Sequence, residues 1–207
     1  DLLQIQEDLV RYTLDKTITE RKESLKVLKI DSSYFKELAE PFRKMTYDKA
    51  IERLISLDFQ INEVDGKART IRWGDDLNID SERVLTRQMT NPLFITGYPI
   101  KVKPFYVKEN PDQLETSLTF DLLGPRGYGE LSSGGMREDN LPTLSNRIRQ
   151  AGLNSVDYGW YLDLRRYGSV EHGGFGMGIE RLLRWFIGTE DIKDCVLFPR
   201  TMSRISP

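Results

Sequence analysis

The sequence predicts an α+β fold, an antiparallel sheet flanked by helices, and three observations predict it. Apolar residues recur at helical spacing near the start and again over 47–57. Glu115–Leu123 alternates apolar and polar residues and is followed by a turn and a return run, the pattern of a half-buried hairpin. A glycine-rich extended segment, 172–178, then switches period into an apolar helical stripe. Strands grouped between helices point to segregated layers rather than a repeating βα unit.

Taken in order, residues 1–27 read as one long helix with Leu2, Ile5, Leu9 and Tyr12 as its inner stripe and charged residues elsewhere. Residues 28–45 are mixed, with Pro41 as a breaker. Thr46 is the N-cap expected for a helix from Tyr47 to about Leu57, with Ala50, Ile51 and Leu54 inward. Asn62–Gly66 reads as a polar loop and Trp73–Leu77 as a turn. Ser81 is read as the cap of a short helix reaching about Met89. Strands follow at Leu93–Thr96 and Lys103–Val107, then Glu115–Leu123 with Leu118, Phe120 and Leu122 on one face and Ser117, Thr119 and Asp121 on the other. Gly124-Pro125-Arg126-Gly127 is the turn, and Tyr128–Ser133 the return strand. Helices are expected over Leu141–Ala151 and Val156–Tyr167.

The chain of 207 residues is 39% hydrophobic and 30% charged, ordinary for a globular protein. No apolar run approaches the roughly 20 residues a membrane helix needs, so no membrane partner is expected. The start lacks the make-up of a secretory signal, and the single Cys195 excludes an internal disulfide; both suit a cytoplasmic protein. With one histidine, His172, a His-based metal site or a Ser-His-Asp triad is not expected. Thirty basic against 32 acidic residues give a net charge of −2 and no electrostatic footprint for nucleic acid, although Arg147, Arg149, Arg165 and Arg166 could form a local basic face.

The stretch His172–Gly188 carries the densest signal. Gly173, Gly174, Gly176 and Gly178 remove side chains from a strand, which lets a flat ligand or another strand approach the backbone. Ile179, Leu182, Leu183, Phe186 and Ile187 then form the stripe of a helix that Gly188 stops. Arg181 sits in its first turn, where a guanidinium and free N–H groups favour an anion. The glycines fit neither a Walker A loop nor a dinucleotide fingerprint. A glycine-rich strand packed on a core helix, with Arg181 in a surface ion pair, fits the same pattern. Asp121 and Glu130, on adjacent strands, form a carboxylate pair able to hold Mg²⁺ with phosphate oxygens and water. Salt bridges from them to Arg126 or Arg137 are the plainer alternative. Ser132-Ser133-Gly134-Gly135 places small groups beside a ligand, or makes an ordinary turn.

Phe120-Asp121-Leu122-Leu123, Gly127-Tyr128-Gly129-Glu130, Gly134-Gly135-Met136-Arg137-Glu138, Tyr161 to Gly168, His172 to Arg181 and Phe198-Pro199-Arg200 occur in that order. Together they resemble the second half of the catalytic domain of a class II aminoacyl-tRNA synthetase of the aspartyl/asparaginyl group. The resemblance runs from roughly Phe42 to Pro207, and Gly176–Arg181 resembles that class's motif 3. The Gly-Pro-Arg-Gly-Tyr-Gly-Glu turn and Tyr161–Gly168 look more like the asparaginyl branch.

The resemblance implies ATP-dependent activation of asparagine to an aminoacyl-adenylate and its transfer to tRNA. Arg181 and Glu130 are implied as catalytic residues, with Glu130, Gly178, Ile179, Glu180 and Arg181 binding ATP. Ser133 and Arg137 are implied at the amino acid, and Asp121, Glu130 and Ser133 at Mg²⁺. Residues 1–207 are read as one synthetase-like domain. Motif 1, motif 2 and the anticodon-binding barrel have no counterpart in it, and a homodimer is expected if motif 1 lies upstream. Ser132-Ser133-Gly134-Gly135 also resembles a tRNA-independent paralogue that makes asparagine through aspartyl-adenylate. Three readings therefore stand beside the first: an aspartyl enzyme, that paralogue, and a non-catalytic module binding nucleotide or protein.

Overall fold

The structure, a computed structural model, describes residues 1–30, 35, 40–63 and 66–206. A five-stranded sheet in the order β1-β4-β5-β6-β7 forms its centre: β1 Arg43–Thr46, β4 Leu93–Thr96, β5 Thr119–Gly124, β6 Gly129–Met136 and β7 Gly173–Met177. Every neighbouring pair is antiparallel except β1 and β4, which run parallel from Arg43↔Leu93 to Thr46↔Thr96. Parallel neighbours need a crossover. Here it runs through α3 (Tyr47–Ser56), a two-stranded ribbon of β2 (Gln60–Asn62) and β3 (Ala68–Thr70), and α4 (Ile79–Thr86). The purely antiparallel expectation is corrected at this edge. The ribbon also replaces part of the expected polar loop, of which residues 64 and 65 lie outside the described residues.

One face of the sheet is covered by α1 (Leu2–Glu20) and α7 (Ile179–Ile187). Val10, Leu14, Phe42, Phe94, Phe120, Leu122, Leu131, Trp185 and Phe186 form one buried cluster there. The expected stripe of α1 is corrected: Ile5, Leu9 and Tyr12 are exposed, while Glu7, Val10 and Leu14 are buried. Glu7 conceals the true stripe from a count of apolar residues. Its Oε1 accepts from the Phe42 N–H at 3.1 Å and the Arg11 Nε–H at 3.0 Å, so a charged side chain occupies the inward position with its hydrogen bonds made. The single helix expected over 1–27 breaks at Arg21, and α2 (Lys22–Val27) follows. Of the segment 28–45, positions 31–34 and 36–39 lie outside the described residues.

The other face is covered over β1, β4 and β5. Tyr47, Ala50, Ile51 and Leu54 of α3 and Leu85 of α4 pack on Leu93, Ile95 and Leu123. Thr46 caps α3 as expected, its side chain accepting from the Lys49 N–H at 3.4 Å. Asn78, not Ser81, caps α4; its Oδ1 accepts from the Ser81 N–H at 2.9 Å. Lys103–Val107 is not a strand, and only Val107 bridges, to Arg137. Helices α5 (Leu141–Gln150) and α6 (Gly159–Arg166) form a separate small core through Leu144, Ile148 and Leu162. Of the four arginines that could form a basic face, Arg149 and Arg166 are exposed and the other two turn to protein partners. Arg165 is buried and donates to the Glu138 carbonyl at 2.9 Å, and Arg147 pairs with Glu138 at 3.4 Å and Glu109 at 3.3 Å.

Candidate active site

The second face of the sheet stays open over β6 and β7, and the candidate residues gather there. Residues directly opposite on adjacent strands share a face. The row Ile95↔Asp121↔Ser133↔Gly176 crosses four strands, with Gly135↔Gly174 in the next row on the same side. A Cβ added at Gly176 would meet nothing within 4 Å, so packing does not require a glycine there. At Gly134, on the covered side, a Cβ would lie 2.5 Å from Phe175 Cβ. The glycines of β6 and β7 thus divide in two: Gly134 lets neighbouring strands close up, and Gly176 leaves the open surface flat.

Helix α7 begins at this surface. Its cap, Gly178, has no side-chain cap bond, and the first-turn N–H groups of a helix have no intrahelical acceptor. A Cβ at Gly178 would come 3.2 Å from Arg181 Cγ and Cδ, so the glycine leaves room for the arginine stem. Arg181 Nη1 donates to Glu130 Oε1 at 2.9 Å and to the Glu130 carbonyl at 3.1 Å. The two side chains are 50% and 33% exposed, open enough to exchange each other for a ligand. The alternative of a surface ion pair for Arg181 is met in this sense, with Glu130 as partner. Glu180 and Ile179 are exposed at the helix start, and Leu183 is also exposed while Trp185 is buried. The stripe expected for α7 is therefore corrected at Ile179 and Leu183.

Asp121 behaves differently from Glu130. It is 4% exposed, and its Oδ2 accepts from Lys103 Nζ at 2.8 Å. Lys103 Nζ also lies 3.7 Å from the centre of the Tyr98 ring. Asp121 Oδ1 and the Tyr98 hydroxyl are both buried without a hydrogen-bond partner of good geometry among the described residues. Burial, and then the nearby Asp121 charge, push the Tyr98 hydroxyl well above its ordinary range. The salt bridges considered for Asp121 and Glu130, to Arg126 or Arg137, are replaced by Lys103 and Arg181.

Arg137 lies at the other end of the open surface. Its Nη1 donates to the Gly135 carbonyl at 3.2 Å and its Nη2 to the Gly174 carbonyl at 3.3 Å, and the guanidinium sits 5.1 Å from the Tyr106 ring centre. An arginine held this way keeps further donors for a planar polar group. His172, the single histidine, is tied to the Val170 carbonyl at 2.7 Å and to Arg165 at 3.4 Å.

Two residues escaped the sequence reading. Glu82, on α4, is 7% exposed, and its Oε2 accepts the Glu130 backbone N–H at 2.9 Å. Its carboxyl is pushed up to about 7, chiefly by burial. The signal was a carboxylate three residues before Leu85, on the buried side of a short helix. Lys103 was hidden in a segment read as a strand.

For a divalent cation, Glu130 and Ser133 supply hard oxygen donors on the open face. Among the described residues no group of three or more His, Cys, Asp or Glu is arranged to hold an ion. Mg²⁺ commonly takes one or two carboxylates and completes its shell with phosphate oxygens and water, so the donor set fits an ion that arrives with a nucleotide. What the surface can do chemically is hold a polyanion at Arg181 and the α7 terminus, and a small polar group at Arg137.

A family model described as tRNA synthetases class II (D, K and N) matches residues 1–202. An asparagine–tRNA ligase of Pyrococcus abyssi is 43% identical over 207 residues, covering 100% of this chain and 45% of that protein. One from Thermococcus kodakarensis is 41% identical, with 100% and 46% covered. The chain thus spans less than half the length of these curated relatives. Among solved structures, asparaginyl-tRNA synthetase from Pyrococcus horikoshii complexed with asparaginyl-adenylate is similar with a TM-score of 0.90 and 42% identity, covering 100% of this chain and 45% of that one. Aspartyl tRNA synthetase from Entamoeba histolytica is similar with a TM-score of 0.83 and 25% identity, over 99% and 41%. None of the described helices is long and apolar enough to cross a membrane.

Proposed function

The chain belongs to the class II tRNA synthetases of the D, K and N group, and from that premise we propose that its open sheet face activates asparagine with ATP and serves the charging of tRNA. The observation that carries this reading is the placement of Glu130, Ser133, Arg137 and Arg181 around one glycine-floored surface. Arg181 and the first turn of α7 take the ATP phosphates, because a guanidinium and free amides both favour negative charge. Gly178, Ile179 and Glu180 border the adenine side. Glu130 and Ser133 would hold Mg²⁺, which when bound would offset charge on the phosphoryl oxygens. Asp121 stays with Lys103 beneath them.

Arg137 donates to the side-chain carbonyl of asparagine and so turns its α-carboxylate toward the phosphate. That carboxylate oxygen attacks the α-phosphorus, the bond to the bridging oxygen breaks, and pyrophosphate leaves. A ribose hydroxyl at the tRNA 3′ end then attacks the acyl carbon, and AMP leaves. No side-chain nucleophile is needed; positioning and charge stabilisation lower the barrier. A second reading, activation of aspartate, draws on the likeness to the aspartyl enzyme and on Ser132-Ser133-Gly134-Gly135.

The test is exchange of labelled pyrophosphate into ATP by the full natural chain, with asparagine and aspartate supplied separately. Exchange with asparagine is expected. Exchange with aspartate alone would replace this reading by the second. No exchange from a folded protein would leave a nucleotide- or protein-binding module.

A further inference from the structure

We propose that Glu82 is a positioning residue for the nucleotide site, holding the Glu130 peptide so that Glu130 and Arg181 face the same phosphates. The inference rests on the ATP reading above and extends it to a residue on a different element. The β5–β6 register shifts between Leu122 and Leu123, so Ser132 opposes Leu122 while Glu130 opposes Leu123. A bulge of this kind interrupts the ladder and re-aims the side chain beside it. Glu82 Oε2 accepts the Glu130 N–H at 2.9 Å at this irregularity. Arg181 holds the same residue from the other side, at its carbonyl and at its carboxylate. Glu130 is therefore gripped at its N–H, its C=O and its side chain.

The type of residue at position 82 supports a purpose beyond packing. A carboxylate that is 7% exposed and is held by the Glu130 N–H is costly to bury, and an apolar side chain would fill the space under α4 more favourably. What the carboxylate offers is an acceptor aimed at one amide. The chain approaches closely to receive it. Gly129 stands at φ +76°, and a Cβ there would lie 3.4 Å from Glu82 Oε2. Without the acceptor the Glu130 N–H loses its partner and the strand relaxes, carrying the Glu130 carboxylate and Arg181 off a shared target. Arg137 is anchored to Gly135 and Gly174, at the other end of β6, and keeps its place.

The experiment compares Glu82→Gln and Glu82→Met with the parent in the full natural chain. ATP affinity is read by titration calorimetry, separate KM values for ATP and asparagine by exchange, and Tm by melting. Glutamine keeps an acceptor oxygen, so its ATP affinity should stay within about 2-fold of the parent. Methionine removes the acceptor at similar volume and should weaken ATP by about 10-fold or more, since small displacements at a reacting centre have large effects. The asparagine KM should hold. Unchanged ATP affinity in Glu82→Met would overturn the proposal, as would equal losses for both substrates or equal loss in Glu82→Gln. A parent chain that binds ATP but does not exchange with asparagine would sink the substrate reading alone. One that binds no ATP would sink both.

Discussion

Arg137 and Gly176 give the sharpest tests at the scale of single residues. Arg137 is anchored by two backbone carbonyls, and among the described residues it makes no ion pair. Arg137→Ala should raise the asparagine KM far more than the ATP KM, by about 10-fold or more given the strength of hydrogen bonds to a charged donor. Equal changes in both would remove it from the amino-acid end. The glycines separate packing from ligand space. Gly134→Ala collides with Phe175 and should lower Tm clearly. Gly176→Ala meets nothing within 4 Å and should leave Tm nearly unchanged, while weakening any substrate that binds over the proposed site. A drop in Tm for Gly176→Ala equal to that for Gly134→Ala would contradict the open surface. That Glu130, Ser133, Arg137 and Arg181 would gather around one surface was legible, because the hairpin and the glycine segment carry them in order. Glu82 and Lys103 were not, because each contacts a residue distant in sequence, and a single chain records no such pairing.

At the scale of elements, the start of α3 and the end of α7 were readable from their caps, while the Asn78 cap of α4 was not. Thr46 marks the start of α3, and Gly188, at φ +71°, marks the end of α7. The strand β1 and its parallel partner were not readable, because four residues with one intermediate and three exposed positions show no alternation. Helix α1 misled for another reason: it carries two apolar stripes, and Glu7 interrupts the one that is buried. The turn after β3 offers a pH test. Asp75 accepts from Arg69 Nη1 and Nη2 at 2.7 Å each and from the Arg72 N–H at 2.8 Å. The Arg69 hydrogen bonds, with that of Arg72, hold its carboxyl below the ordinary value of 3.8. A depressed folded-state value means that the contribution is present above the unfolded value and is lost as pH falls through the folded one. Melts from about pH 6 downward should therefore show Asp75→Asn less stable than the parent, with the gap closing in strong acid. A gap that does not change with pH would assign the effect to shape rather than charge.

At the scale of the whole molecule, the two faces of one sheet divide the work. α1 and α7 bury the first face, and α3 and α4 bury the β1–β5 half of the second. The remaining half, over β6 and β7, presents glycines, a carboxylate and two arginines. The α+β class and the location of this surface followed from the hairpin and the glycine segment. Its openness did not, because sequence periodicity does not report which half of a face a crossover covers. The central claim is that this surface is the nucleotide site. It is tested most directly by titrating ATP into the full natural chain and its Arg181→Ala variant. Arg181 is half exposed, and exposed ion pairs contribute ~0–1 kcal/mol, so Tm should barely move. Lost charge-assisted bonds to phosphate should weaken ATP by about 10- to 100-fold. Equal ATP affinity in the two proteins would contradict the account.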